Sequence, residues 1–235
     1  MPLSFGTGIS FGQMNVNITN DPGIPNKSIY FPANSSLRGP SAAAFNVGTG
    51  DFTFEFWYYA TTFANTGDHN DLAFDNGTWQ TGISGTSLNF EKYGSGWNYF
   101  VIPNAAITNS WTHVAVVRSS GTLSGYINGT RQLTGTKTDN LNGSYNFTIN
   151  GRGQYANTGK DAMLYNNIRM VLGTAVYSGT SFTVPTSSLT AISGTSLLCG
   201  QGPDPLVDKS SNSYTLTYYG SGGAPSSSTS VPFAY

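Results

Sequence analysis

The hydrophobic and polar positions of this chain alternate with a period of two. In DFTFEFWYYA (51–60), Phe52, Phe54, Phe56 and Tyr58 fall on one face and Thr53, Glu55 and Trp57 on the other. That is the pattern of a strand with two different faces. Comparable runs are TWQTGIS (78–84), SLNFEKY (87–93), GWNYFVI (96–102), SWTHVAVVRSS (110–120), YNFTIN (145–150), SLLCG (196–200) and YTLTYY (214–219). TLSGYIN (122–128) and TRQLTG (130–135) predict a hairpin about Asn128-Gly129, since both residues tolerate the positive φ of a tight turn. LAFD (72–75) is a further short strand before Asn76-Gly77. Helix competes only over 161–172, and strand is favoured there too. The prediction is an all-β, two-sheet antiparallel sandwich.

Proline bounds the domain. Pro2, Pro22, Pro25, Pro32 and Pro40 crowd one end, Pro185 to Pro232 the other, and only Pro103 lies between 41 and 184. Central strands exclude proline, so the body of the sheets is expected in that gap. Residues 1–27 read as an N-terminal arm, 28–219 as the domain, and 220–235 as a C-terminal tail whose GSGGAPSSSTSV (220–231) reads as a linker. Arm and tail are expected to be assembly elements, with Phe5, Phe11, Phe233 and Tyr235 as contacts in a homo-oligomer.

Charge changes the picture by its scarcity. Charged residues are 9% of the 235 and the net charge is −1, so Ser, Thr, Asn, Gly and Tyr must build the surface. No basic run marks a nucleic-acid partner. The opening MPLSFGTGISFG has neither a basic nor a continuous apolar region, so no signal peptide and no membrane insertion are expected. Cys199, the sole cysteine, sits in an apolar strand and reads as a buried, inert thiol.

Candidate chemistry is sparse. Glu55 and Glu91 are the only glutamates, and the positions two residues either side of Glu55 are Thr53 and Trp57. The paired carboxylates of glycoside hydrolysis are missing there, no G-x-S-x-G elbow occurs, and no enzyme is expected. GDHNDLAFD (67–75) offers Asp68, Asp71 and Asp75 as oxygen ligands, for which Ca²⁺ is the one cofactor to consider; a solvated polar turn is the plainer reading. Trp79, Tyr93, Trp97 and Tyr99 are candidate sugar-stacking aromatics, although core or edge packing is the plainer reading of any single one.

Three segments carry a family resemblance. GTGDFTFEFWYYA (48–60) is similar to the opening strand of laminin-G-like jelly rolls, and SWTHVAVVRSSGTLSGYINGTR (110–131) resembles their central hairpin. NNIRMVLGTAVYSGTSFTVPTSSLTAISGTSLLC (166–199) is similar to the closing part of such domains in bacteriophage virion proteins. The resemblance implies a concanavalin A-like jelly roll. Within it Trp111 and His113 read as core packing, and Arg118 as a partner for a carboxylate or a carbonyl. It also implies a virion protein (capsid decoration, fibre or tail adhesion) that resides in the virion and binds other virion proteins and host-surface glycan. The alternative is a carbohydrate-binding lectin module, and the second alternative a glycoside hydrolase or lyase.

Overall fold

The computed structural model describes residues 26–41, 45–63, 74–92, 98–143, 145–151 and 161–233. Among them every regular element is a strand: β1 Ser28–Phe31, β2 Ser35–Ser41, β3 Phe52–Ala60, β4 Trp79–Ser84, β5 Ser87–Lys92, β6 Asn98–Ile102, β7 Thr112–Ser119, β8 Thr122–Ile127, β9 Thr130–Thr136, β10 Asn146–Ile149, β11 Met163–Leu172, β12 Thr195–Cys199, β13 Thr217–Gly220 and β14 Ser226–Ser228.

The larger sheet runs β14-β1-β11-β3-β7-β8-β9, with β12 also paired to β11. The smaller sheet has two triplets, β10-β2-β13 and β4-β5-β6. Asp75 joins them, bridging antiparallel to Thr148 of β10 and to Gln80 of β4. All strand pairs are antiparallel. The two sheets stack as a jelly-roll sandwich.

The core between the sheets is aromatic. Phe52, Phe54, Phe56 and Tyr58 of β3, all in one phase, meet Phe74, Trp79, Phe90 and Phe147 from the smaller sheet side. Burying side chains of this size contributes about 1.5–3 kcal/mol each. Cys199 is fully buried there, and burial pushes its thiol pKa up, which suits an inert thiol.

The structure refines the sequence pattern at three places. β3 to β11 lie in the proline-poor interval, whereas β1, most of β2 and β14 lie beyond it, as do the expected strands β12 and β13. Pro40 enters β2 because the β2–β10 register shifts there, between the Asn146 and Thr148 pairings, and a bulge does not need its amide. Of the Asn-Gly pairs, only Asn128-Gly129 has both residues at positive φ, 48° and 76°. The linker-like tail is partly a strand: Ser226, Ser227 and Ser228 pair with Tyr30, Ile29 and Ser28 at the edge of the larger sheet.

Candidate functional site

The outward face of the smaller sheet carries one polar row from edge to edge. Tyr99 of β6 pairs with Glu91 of β5, and Glu91 with Gln80 of β4. Gln80 pairs with Asp75, Asp75 with Thr148, Thr148 with Arg38 of β2, and Arg38 with Thr217 of β13. In a chain so poor in charge, this row concentrates Glu91, Asp75 and Arg38. Alternation forces the placement: Leu88 and Phe90 point to the core, so Asn89 and Glu91 point away from it.

Glu91 is held as an acceptor. Gln80 Nε2 donates to its Oε2 at 2.7 Å and Asn89 Nδ2 to its Oε1 at 3.2 Å. Asp75, Gln80 and Glu91 are only 5%, 6% and 4% exposed. Such oriented amides and carboxylates have the chemistry to recognise hydroxyl groups. Arg38 lies 3.4 Å over the ring of Tyr219 at the far end of the row.

The sequence-predicted residues fare unevenly. Trp79 is 1% exposed, its ring stacked on Phe74 at 4.4 Å and Phe90 at 5.1 Å, so it is core and offers no face to a sugar. Tyr99 is in the row by backbone register. Tyr93, Trp97, Asp68, Asp71, Phe5, Phe11 and Tyr235 lie outside the described residues.

Of the three carboxylates considered for Ca²⁺, only Asp75 lies among the described residues. Its main chain exchanges hydrogen bonds with Thr148, and its Oδ1 accepts from Gly77 N–H at 2.5 Å. Among the described residues no cluster of His, Cys, Asp and Glu gathers to hold a metal. Phe233 packs edge-on to Trp57 of its own chain. Sequence reasoning did not join Gln80, Asn89 and Glu91 into a site; the alternation of TWQTGIS and SLNFEK was the signal that could have put them on one face.

A second polar cluster lies under a strap, residues 174–192, on the outer face of the larger sheet. Glu55 is fully buried. Its Oε1 accepts from Arg169 Nε at 2.8 Å and Nη2 at 2.5 Å, and its Oε2 from Tyr177 O–H at 2.7 Å, with His113 Nε2 at 3.3 Å. Burial alone would push the Glu55 carboxyl up, but the hydrogen bond from His113 and the charge of Arg169 outweigh it and hold its pKa below the ordinary value. Tyr177 is pushed up, by burial first and then by Glu55.

This cluster anchors the strap. Arg169 Nη1 donates to Thr190 O, and Thr53 Oγ1 donates to Thr174 O and accepts from Val176 N. Tyr177 stacks on Phe182 at 3.7 Å beside His113. His113 and Trp111 thus belong to the outer layer of this sheet, with His113 buried under the strap and Trp111 half-buried beside Tyr59. Arg118 takes three carbonyls, those of Gly48, Gly50 and Asp139, at 2.7–2.8 Å. Neither glutamate has a carboxylate two residues away, since Glu91 is flanked by Asn89 and Tyr93.

Comparison with known proteins places the chain in a family. Residues 33–169 match the Laminin_G_3 model of the concanavalin A-like lectin/glucanases superfamily, and the chain belongs to that family. Among solved structures, a candidate carbohydrate binding protein from Bacteroides ovatus superposes with a TM-score of 0.58 at 16% identity, over 90% of this chain and 62% of its own. This chain therefore spans less than two thirds of that protein. Domains LG4-5 of the mouse laminin alpha1 chain give 0.48 at 10% identity, covering 72% of this chain and 48% of that one. The binding domain of Paraclostridial Mosquitocidal Protein 1 gives 0.45 at 16% identity, over 60% and 38%. No curated protein matches the sequence.

Proposed function

We propose that the protein is a carbohydrate-binding module that acts without turnover, and that its ligand lies along the polar row of the smaller sheet. The observation that carries this reading is the Gln80–Glu91–Asn89 arrangement, a carboxylate oriented by two amides on a sheet face. Glycan hydroxyls both donate and accept, and such a row meets them with both kinds of group. The description of the Bacteroides ovatus protein as a carbohydrate binder agrees with it. Binding is favoured over hydrolysis because Asn89 and Tyr93 stand where a second carboxylate would share the chemistry with Glu91.

The virion setting rests on the resemblance of residues 166–199, which form the latter part of β11, the strap and β12 and serve the fold. Glycan binding at a virion surface would unite both readings. A glycan array probed with the full chain tests the proposal. Signal on a defined glycan class, lost in Gln80→Ala, supports it; a blank array for the unaltered protein overturns it.

A further inference from the structure

The outer face of the larger sheet has a second feature, a row that begins under the strap at His113 and runs out from it. Asn166, Trp57 and His113 are successive partners on β11, β3 and β7, and all three side chains face outward from the core. Each is more than nine-tenths buried, Trp57 being 8% exposed. Each also carries one polar atom without a hydrogen-bond partner: Asn166 Oδ1, Trp57 Nε1 and His113 Nδ1. Native interiors leave few such groups, and three in one row call for an explanation.

The remaining polar atoms are committed. Asn166 Nδ2 donates to Lys27 O at 3.0 Å, and His113 Nε2 faces Glu55 Oε2 at 3.3 Å. With Nε2 turned to Glu55, Nδ1 is the ring's remaining polar atom. The row therefore presents the indole N–H as a donor, the Asn166 amide oxygen as an acceptor and the second imidazole nitrogen beside them.

The next row along the same face is aromatic. Tyr30 and Leu164 pair, Leu164 and Tyr59 pair, and the Tyr59 ring lies 5.9 Å from that of Trp111. Tyr30 is exposed and the other three are half-buried. Phe233 covers Trp57 edge-on, with a centroid distance of 6.4 Å. It arrives on the tail, which is held by three exposed or half-buried serines and by Ser28 Oγ–H donating to Ser230 O. An apolar ring cannot satisfy the polar atoms beneath it.

We propose that the Asn166–Trp57–His113 row is a second binding site, for a single sugar ring, and that Phe233 is the displaceable cover over Trp57. Vicinal hydroxyls accept from Trp57 Nε1–H, donate to Asn166 Oδ1 and pair with His113 Nδ1, while the apolar face of the ring packs on the adjoining aromatic strip. The site is on the opposite side of the sandwich from the Glu91 row and stands independently of it.

The test is a titration of the ¹⁵N-labelled full chain and of Phe233→Ala with glucose, galactose, mannose and N-acetylglucosamine in turn. The readout is the indole N–H resonance of Trp57, identified by its disappearance in Trp57→Phe. At least one sugar is expected to shift it saturably, several-fold more tightly in Phe233→Ala than in the unaltered chain. Asn166→Ala should weaken that binding, and Glu91→Gln should leave it unchanged. If no sugar moves this resonance in folded Phe233→Ala, the orphaned atoms are served by water and the proposal fails, whatever the outcome at Glu91. A shift abolished by Glu91→Gln would also overturn it, because the binding would belong to the other face.

Discussion

Arg169 on β11 reaches across to Glu55 on β3 and sets Nε and Nη2 against the same carboxylate oxygen, at 2.8 and 2.5 Å. The two are register partners, so backbone pairing alone brings them together. Removing one member of a buried pair leaves the other uncompensated. Glu55→Gln is expected to lower the unfolding free energy by about 3 kcal/mol in urea titration. A change within a few tenths of a kcal/mol would show that the pair does not anchor the strap.

The same carboxylate gives the fold a pH dependence. Its pKa is lower in the folded chain than the ordinary 4.5. Its stabilising contribution is therefore complete above about 4.5 and is lost as pH falls through the lower folded value. The unaltered protein should lose more stability on acidification across that window than Glu55→Gln does, as measured by thermal melts at several pH values.

Gly129 closes the β8–β9 hairpin under the strap. Its φ is +76°, and an added Cβ would lie 2.2 Å from the carbonyl oxygen of Phe182. Gly129→Ala should cost about 1–3 kcal/mol. It should also speed protease cleavage within 174–192, because Phe182 N–H donates to Gly129 O. Unchanged cleavage would separate the hairpin from strap docking.

Arg118 ties Gly48, Gly50 and Asp139 through three carbonyl oxygens. Lysine has the charge without the fixed fork and cannot reach all three. Arg118→Lys is expected to destabilise by about 1–3 kcal/mol, seen as a lower urea midpoint.

The sandwich was legible because most strands of the body have two distinct faces. β3, β7, the β8–β9 hairpin and β11 all fall where alternation and Asn-Gly chemistry put them. For Trp79 the plainer reading, core packing, is the one the structure shows: it shares phase with Ile83, and that phase sends both inward. The role of Asp75 was illegible, because a one-residue bridge between two triplets leaves no period in the sequence. β14 was illegible for a related reason: its serines pair through the main chain, which any sequence supplies. The polar row is assembled from β2, β4, β5, β6, β10 and β13 together with Asp75. Only the register brings it together, although Asn89 and Glu91 could be seen alternating within β5.

The most direct measurement is an NMR titration of the full chain with the strongest glycan from the array, following the side-chain amide resonances of Gln80 and Asn89. Glycan binding along the polar row predicts that both move saturably and that Glu91→Gln weakens the affinity at least about tenfold, or ~1.4 kcal/mol. Saturable binding that leaves both amides in place, with affinity unchanged in Glu91→Gln, would contradict it.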